Sequence, residues 1–412
     1  MVRQICYCLF FILLSGCSLW KYQADYVETN PRVDTKSRLI DYQDKKVYSF
    51  NNGELKFDNL FDGARLNNCI QLNDSTFEIA ISPENEPINS SPWYAFRMIS
   101  QSRDNIWLRM TYKNAKHRYH PKISNDGENW QVVSNDRVTL SNHDSIAIFK
   151  ITPESDTSWL AAQEIINTEK VRLWCSQQAD KKNIKYKEYG KSKLGRPLPV
   201  LDICSGKKRG KPIVVILSRQ HPPEVTGFFA MQAFVETITE TNALTDKFLE
   251  QYRVLVFPLL NPDGVDLGHW RHNAGGVDLN RDWGNYKQAE IRQIADYIVT
   301  MAKRAGSEVL VGFDFHSTYR DIYYTNSTEP NNDKIAGFKD LWLSSIEKGI
   351  EGYKVKEKAS GTKPVAVSKS WFHEQLQAVG ITYEIGDNTP RDFIKTKGRI
   401  SAQAMMEILI ML

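Results

Sequence analysis

The sequence predicts an α/β domain with a mixed sheet and helices on both faces, preceded by an antiparallel β-sandwich. Three observations predict it. Short alternating runs broken by turn residues fill 47–152, the signature of a sandwich. After Ile151-Thr-Pro153 the texture changes, and continuous apolar runs alternate with helical stripes through 153–412. The chain has 412 residues, 41% of them hydrophobic and 25% charged, enough for two ordinary cores.

The first residues read as a targeting segment. Arg3 precedes an apolar run from Ile5 to Leu14, and Leu14-Ser15-Gly16-Cys17 follows. The run is too short to span a bilayer as a mature helix and suits the apolar region of a signal peptide. Small residues just before a cysteine resemble the bacterial lipobox. That resemblance implies a signal peptide at 1–16, cleavage before Cys17, and lipid on that cysteine as a membrane anchor. By resemblance to lipoprotein sorting, Ser18 at the next position favours an outer-membrane lipoprotein facing the periplasm. Residues 17–46 are polar, lack a sustained apolar period and read as a tether.

Cys69, Cys175 and Cys204 remain beyond that segment, an odd number without metal-type spacing. Buried free thiols are the expected state. The formal net charge of +4 is small and dispersed, so nucleic acid is not an expected partner.

Within the first domain, Thr76–Ile81, Tyr94–Ile99 and Asn105–Tyr112 alternate as strands, and Ser124-Asn-Asp-Gly127 is a turn. In the second, Tyr186–Leu194 and Pro197–Asp202 open the sheet. Pro212–Leu217 is a continuous apolar run, as a strand covered on both faces requires. Phe228–Glu240 is a helix, and Arg253–Leu260 the next strand. Tyr286–Arg304 carries a helical stripe at Ile291, Ile294, Ala295, Ile298 and Val299, with Gly306 placed to end it. Val309–Phe315 is a strand ending at His316, Ile381–Ile385 is another, and Ile400–Leu412 closes the chain as a helix.

The residues that carry chemistry cluster at these strand ends. His221-Pro-Pro-Glu224, Asn261-Pro-Asp-Gly264 and His316 follow apolar strands, where open α/β sheets collect ligands. His221, Glu224 and His316 form the nitrogen and carboxylate set of a hydrolytic zinc with an open position. Asp314 or Asp278 is suited to accept the second N–H of a ligating imidazole. Glu384 lies in a strand-like run, where a carboxylate is costly unless paired or useful. Arg271, Asn280 and Arg281 are fixed donors, and an arginine fork matches a carboxylate.

From about Lys185 to its end, the chain resembles the zinc carboxypeptidases of the carboxypeptidase A type. The ordered set carries the resemblance: His221-Pro-Pro-Glu224, Asn261-Pro-Asp-Gly264, Arg271, Asp278-Leu-Asn-Arg281, His316-Ser317 and Glu384. Gly268-His-Trp-Arg271 leading into Gly276-Val-Asp-Leu-Asn-Arg-Asp-Trp283 resembles the cytosolic carboxypeptidase branch, whose members place a β-sandwich before the catalytic domain. The resemblance implies one Zn2+ held by His221, Glu224 and His316. It implies Glu384 as the base that activates the hydrolytic water and Arg271 as the group that polarises the scissile carbonyl. Asn280 and Arg281 would anchor the substrate's terminal carboxylate, and Asp278 would support the first histidine. Cobalt or manganese can substitute for zinc in such a set.

Two departures stand out. Pro223 occupies a position where many digestive members carry arginine. No tyrosine lies between Ala359 and His373 to close over substrate, which leaves Trp371 or His373 as candidates for a cover.

The expected activity is removal of C-terminal amino acids from peptides. Alternatives of the same fold are trimming of peptidoglycan stem peptides, deacylation of N-acyl amino acids, or binding without turnover. The expected partners are a peptide with a free C-terminal carboxylate and, through Cys17, a membrane.

Overall fold

The computed structural model describes residues 38–360 and 366–412. The predicted signal peptide, Cys17 and most of the predicted tether lie outside the described residues. Among the described residues, no helix is long and apolar enough to cross a membrane.

The sandwich is built from β1 Val47–Phe50, β2 Leu55–Asp58, β3 Asn68–Asn73, β4 Thr76–Ile81, β5 Ala95–Ser100, β6 Ile106–Tyr112, β7 Lys122–Ser124, β8 Gln131–Val132, β9 Val138–Ser141, β10 Ile146–Ile151 and β11 Thr157–Ala161. One sheet has the order β1-β2-β5-β11-β7-β8 and the other β3-β4-β6-β10-β9. Alternation decides the inner face: in β6 the side chains of Ile106, Leu108, Met110 and Tyr112 are buried and those between are not. The inner faces meet around Phe57, Phe77, Phe96 and Phe149. The pairs are antiparallel except β4 with β6, which is parallel. β5 crosses to the other sheet between them, so the chain re-enters the second sheet in its original direction.

The predicted boundary at Thr152 falls inside this domain. β11 pairs with β5 and β7, so the sandwich continues to Ala161. The texture changes early in sequence because Thr152-Pro153 and the turn after it precede one last strand. The predicted tether also ends too late. The amide of Asp41 donates to Glu84 O at 2.7 Å, and Gln43 Nε2 donates to Ala64 O at 2.6 Å. Polarity alone does not distinguish a free tether from a segment docked by hydrogen bonds.

The second domain contains α1 Thr168–Ala179, β12 Ile184–Lys191, β13 Pro197–Ile203, β14 Ile213–Ser218, α2 Val225–Thr237, α3 Ala243–Gln251, β15 Arg253–Phe257, α4 Pro262–Asp266, α5 Ala289–Ala305, β16 Val309–Thr318, β17 Ile322–Asn326, α6 Phe338–Gly349, β18 Glu357–Ser360, α7 Ser368–Leu376, β19 Val379–Gly386 and α8 Arg391–Met411. Its eight-stranded mixed sheet has the order β12-β13-β15-β14-β16-β19-β17-β18, with β15, β14, β16 and β19 parallel at the centre.

Helices cover both faces, as β14 illustrates. Val214 and Ile216 enter the core under α1, α2, α3, α6 and α8, whereas Ile213, Val215 and Leu217 pack with α5 and α7. A strand buried on both sides has no polar positions, which is why it reads as an unbroken apolar run.

Three helix starts differ from the sequence reading, and the first is α2, which begins at Val225, three residues before Phe228. α5 begins at Ala289 rather than Tyr286, because Tyr286 has φ +53° and the Asp282 carboxylate captures the amides of Lys287 and Gln288. α8 begins at Arg391, nine residues before Ile400. Gly398 conceals that earlier turn in the sequence, yet it is there for packing: a Cβ would lie 2.8 Å from Ala230 O on α2. Cys69, Cys175 and Cys204 are free and buried.

Candidate active site

The strand order fixes where a site can form. From β14 the chain passes to β15 on one side and later returns to β16 on the other. The crevice beyond β14 and β16 is therefore the switch point of the sheet, where ligands collect in open α/β folds. His221 follows β14 on one side of the crevice, and His316 lies near the end of β16 on the other.

Glu224 stands between the histidines. It is the N-cap residue of α2, but its carboxylate caps no amide of that helix. Oε1 lies 2.8 Å from His221 Nδ1, and Oε2 lies 2.6 Å from His316 Nδ1. The three residues are buried, and one ligand atom from each lies within 4.8 Å of the others. α2 approaches this closely because residue 227 is glycine: a Cβ there would collide with the backbone of His316.

The far nitrogens are held by carboxylates. Asp278 Oδ1 lies 2.9 Å from His221 Nε2, and Asp314 Oδ2 lies 2.7 Å from His316 Nε2. Both candidates named from sequence thus serve, one for each imidazole. Gln220 Nε2 donates to Asp314 Oδ2 at 2.5 Å and Ser368 Oγ donates to the same oxygen, while Trp283 Nε1 fixes Gln220 Oε1 at 3.0 Å.

This donor set fits zinc. With each proton on Nε2, facing its aspartate, both Nδ1 lone pairs point at an anionic carboxylate. Three such donors converging on one buried point repel one another unless a proton or a metal cation lies among them, and nitrogen with carboxylate oxygen suits Zn2+. Burial opposes ionisation of Glu224, but His221 and His316 outweigh it and hold the carboxyl well below the usual range. Burial likewise opposes protonation of His316, and Asp314 with Glu224 outweighs it and raises the imidazole well above the ordinary value. Strong opposite shifts packed at one crevice are a feature that functional sites share with buried ion-pair networks.

Glu384 is the register partner of His316 on the adjacent parallel strand. Its Oε2 is buried without a hydrogen-bond partner among the described residues. Burial pushes its carboxyl up to about 8; His316 and Arg271 pull against that, and Glu224 and Asp314 add to it. A cation beside it would favour the carboxylate.

Arg271 and the segment 278–281 approach from the other side. Arg271 Nε donates to Asp278 Oδ2 at 2.7 Å, so one aspartate ties the arginine to His221. Asn280 turns inward: its Nδ2 is 3.3 Å from His316 Nε2, and its Oδ1 accepts the Ser368 amide at 2.9 Å. Arg281 lies less deeply, with Nη1 on Asn280 O at 2.7 Å.

The Asn261-Pro-Asp-Gly264 segment brings no group to the histidines and instead shapes the wall. Asn261 Oδ1 caps α4 through the Gly264 amide at 2.9 Å, and Asn261 Nδ2 holds Gln220 O at 3.1 Å. Asp263 is buried and paired with Arg196 at 2.9 Å.

Neither candidate cover residue covers the site. Trp371 is buried against Trp283 with ring centroids 4.9 Å apart, and its Nε1 donates to Tyr286 OH at 2.7 Å. It faces the core because α7 packs that side of the helix against the sheet. His373 Nε2 meets the Thr328 hydroxyl at 3.4 Å.

Sequence reasoning missed two sets of contributors. Gln220 and Ser368 carry no motif of their own. Glu84, from the sandwich loop between β4 and β5, reaches the backbone around Arg271, a contact across 187 residues of sequence.

Comparison with known proteins agrees with this geometry. An uncharacterized protein of Zymomonas mobilis is 25% identical over 236 residues, 56% of this chain and 59% of its own. Cytosolic carboxypeptidase 2 of Danio rerio is 25% identical over 308 residues, 65% of this chain and 41% of its own. The chain thus spans about half the length of these curated relatives. The crystal structure of a metallo-carboxypeptidase from Burkholderia cenocepacia superposes with a TM-score of 0.73 at 17% identity, covering 86% of this chain and 98% of that one. That share extends through both domains and shows a common fold. The model of the zinc carboxypeptidase family matches residues 173–404, more than half of the chain, and the chain belongs to that family.

Proposed function

We propose that the chain is a zinc metallocarboxypeptidase that removes amino acids one at a time from the free C-terminus of a peptide. The observation that carries this reading is the convergence of His221 Nδ1, Glu224 and His316 Nδ1 beside a Glu384 oxygen that has no hydrogen-bond partner among the described residues.

Zinc held by His221, Glu224 and His316 supplies Lewis acidity and promotes ionisation of water. The remaining steps belong to the chain. Glu384 takes the proton of the attacking water on its carboxylate and returns it to the leaving amine. Arg271, oriented through Nε by Asp278, donates to the scissile carbonyl oxygen as negative charge develops there. Asn280 and Arg281 receive the terminal carboxylate, which makes cleavage exo rather than endo.

Lys369 supports an acidic C-terminal residue as the preferred one. It is buried at the start of α7, beside Ser368, which is tied to Asn280. Its ammonium donates to the neutral oxygens of Asn326, at 3.0 Å, and Ser360, and the Glu374 carboxylate acts on it only through its charge, too weakly to offset burial. β17 lies beside β19 with Ile322 opposite Glu384, and Asn326 is at the end of that strand. A buried cation held by neutral oxygens is costly on its own and is offset by an anionic ligand. A panel of peptides differing only in the last residue tests this. Preference for Glu or Asp that disappears in Lys369→Met supports it, and unchanged preference in that variant removes it.

Peptidoglycan stem peptides also end in free carboxylates and fit the same anchors, so purified muropeptides belong beside the panel. The lipoprotein reading of the N-terminus completes the proposal. Lipid on Cys17 would place the enzyme on the periplasmic side of the cell envelope, on the outer membrane. Labelling with a fatty-acid probe that is lost in Cys17→Ser would support it; equal labelling of both would remove it.

A further inference from the structure

We propose that Glu84 of the sandwich is a positioning residue for Arg271, so that the sandwich forms part of the catalytic apparatus. The inference rests on the carboxypeptidase reading, because it assigns Glu84 an effect through Arg271.

Glu84 is fully buried and lies in the loop between β4 and β5. Its carboxylate accepts three successive backbone amides of the other domain: Trp270 at 2.7 Å on Oε2, and Arg271 at 3.0 Å and His272 at 2.7 Å on Oε1. A carboxylate gathering consecutive N–H groups is the strong, charge-assisted form of this bond. Burial would neutralise it, but His269, His272, Arg65 and the His272 amide bring its carboxyl below the ordinary value.

The neighbouring contacts close the same clamp. Trp270 Nε1 donates to Trp93 O at 3.2 Å, and His272 Nδ1 lies 2.6 Å from Asn85 Oδ1. Gly268, at φ +65°, passes so near the sandwich that a Cβ would collide with Ala64 O.

Arg271 is therefore held at both ends. Glu84 fixes its backbone through the middle amide of the three, and Asp278 fixes its Nε. A guanidinium fixed in this way needs no reorganisation when the carbonyl oxygen becomes anionic. Domain adhesion alone does not require the grip to centre on Arg271. The sandwich core already joins the second domain through Val225 and the Trp270 ring.

A double-mutant cycle tests the inference in the full zinc-loaded chain, using the best-cleaved peptide of the C-terminal panel. Glu84→Gln is expected to lower kcat about 10- to 100-fold with KM and zinc content little changed. In an Arg271→Ala background the same substitution is expected to change kcat less than about twofold, since the group it acts through is gone. Equal losses in both backgrounds would overturn the inference and leave Glu84 as domain glue. Where Glu84→Gln fails to accumulate folded, Glu84→Asp keeps the charge at a shorter reach and enters the same cycle. A wild-type chain without turnover of any peptide would sink the carboxypeptidase reading itself, and this inference with it.

Discussion

His316 and Glu384 stand opposite one another on β16 and β19, partners in a parallel register that runs from Val311 with Val379 to Thr318 with Gly386. Residues paired in this way point to the same face of the sheet, one strand spacing apart. The proposed metal ligand and the proposed proton acceptor are thus set at one level by backbone hydrogen bonding. The sheet, rather than a flexible loop, fixes their separation.

That rigidity makes the length of residue 384 critical. Glu384→Asp retracts the carboxylate by about one bond length along a backbone that has no slack. Misplacement of about 1 Å costs about 100-fold in rate, so kcat should fall by about that factor while zinc content is unchanged. Steady-state kinetics with metal analysis checks both halves. Activity within a few fold of wild type would show that register does not set the geometry.

Asp278 and Asp314 each hold the outer nitrogen of one histidine. Asp278→Asn and Asp314→Asn should each weaken zinc binding about 10- to 100-fold. Competition with a chelator of known affinity measures this. Asp278→Asn should also cost kcat, because that residue holds Arg271 as well. Asp314→Asn should affect metal affinity more than the carbonyl-polarising group.

Lys369 gives the acid preference a pH signature. Burial pushes its ammonium down to about 8, against the opposing charge of Glu374. It is charged below that pH and becomes neutral above it. The kcat/KM for peptides ending in Glu should therefore decline as pH rises through about 8, while peptides ending in Leu do not follow that step. Lys369→Met should remove the difference between the two profiles. Parallel profiles in the wild type would contradict the assignment.

The Trp270 ring belongs to the sandwich core although its backbone belongs to the second domain. It is 1% exposed, so Trp270→Ala should destabilise by about 3–5 kcal/mol. Chemical denaturation measures the shift. A chain beginning at Thr168 should lose solubility, since the contact surface around Val225 and Trp270 would be uncovered.

The legible parts of the sequence were those whose signal is local. The apolar run of β14, the stripe of α5 and the alternation of β4 and β6 each record their own burial. That His221, Glu224 and His316 come together, with Glu384 beside His316, was legible because strand ends and ordered motifs coincide. Other features were hidden because their cause lies elsewhere in the chain. β11 looks like the start of a new domain until β5 is beside it. The first turns of α8 are hidden in the sequence by Gly398, whose reason is the crossing of α2. Asn280 looked only like a substrate anchor, yet its Oδ1 also accepts the Ser368 amide. Glu84 is one acid in a polar loop until the chain folds it onto Arg271.

The most direct test of the central claim is mass spectrometry of digests of one peptide in two forms, with a free and an amidated C-terminus, by the zinc-loaded chain and by Glu384→Gln. Stepwise loss of single C-terminal residues is expected from the free form only, and is absent in Glu384→Gln although that variant keeps its zinc. Cleavage of both forms, internal cleavage, or full activity of Glu384→Gln would contradict it.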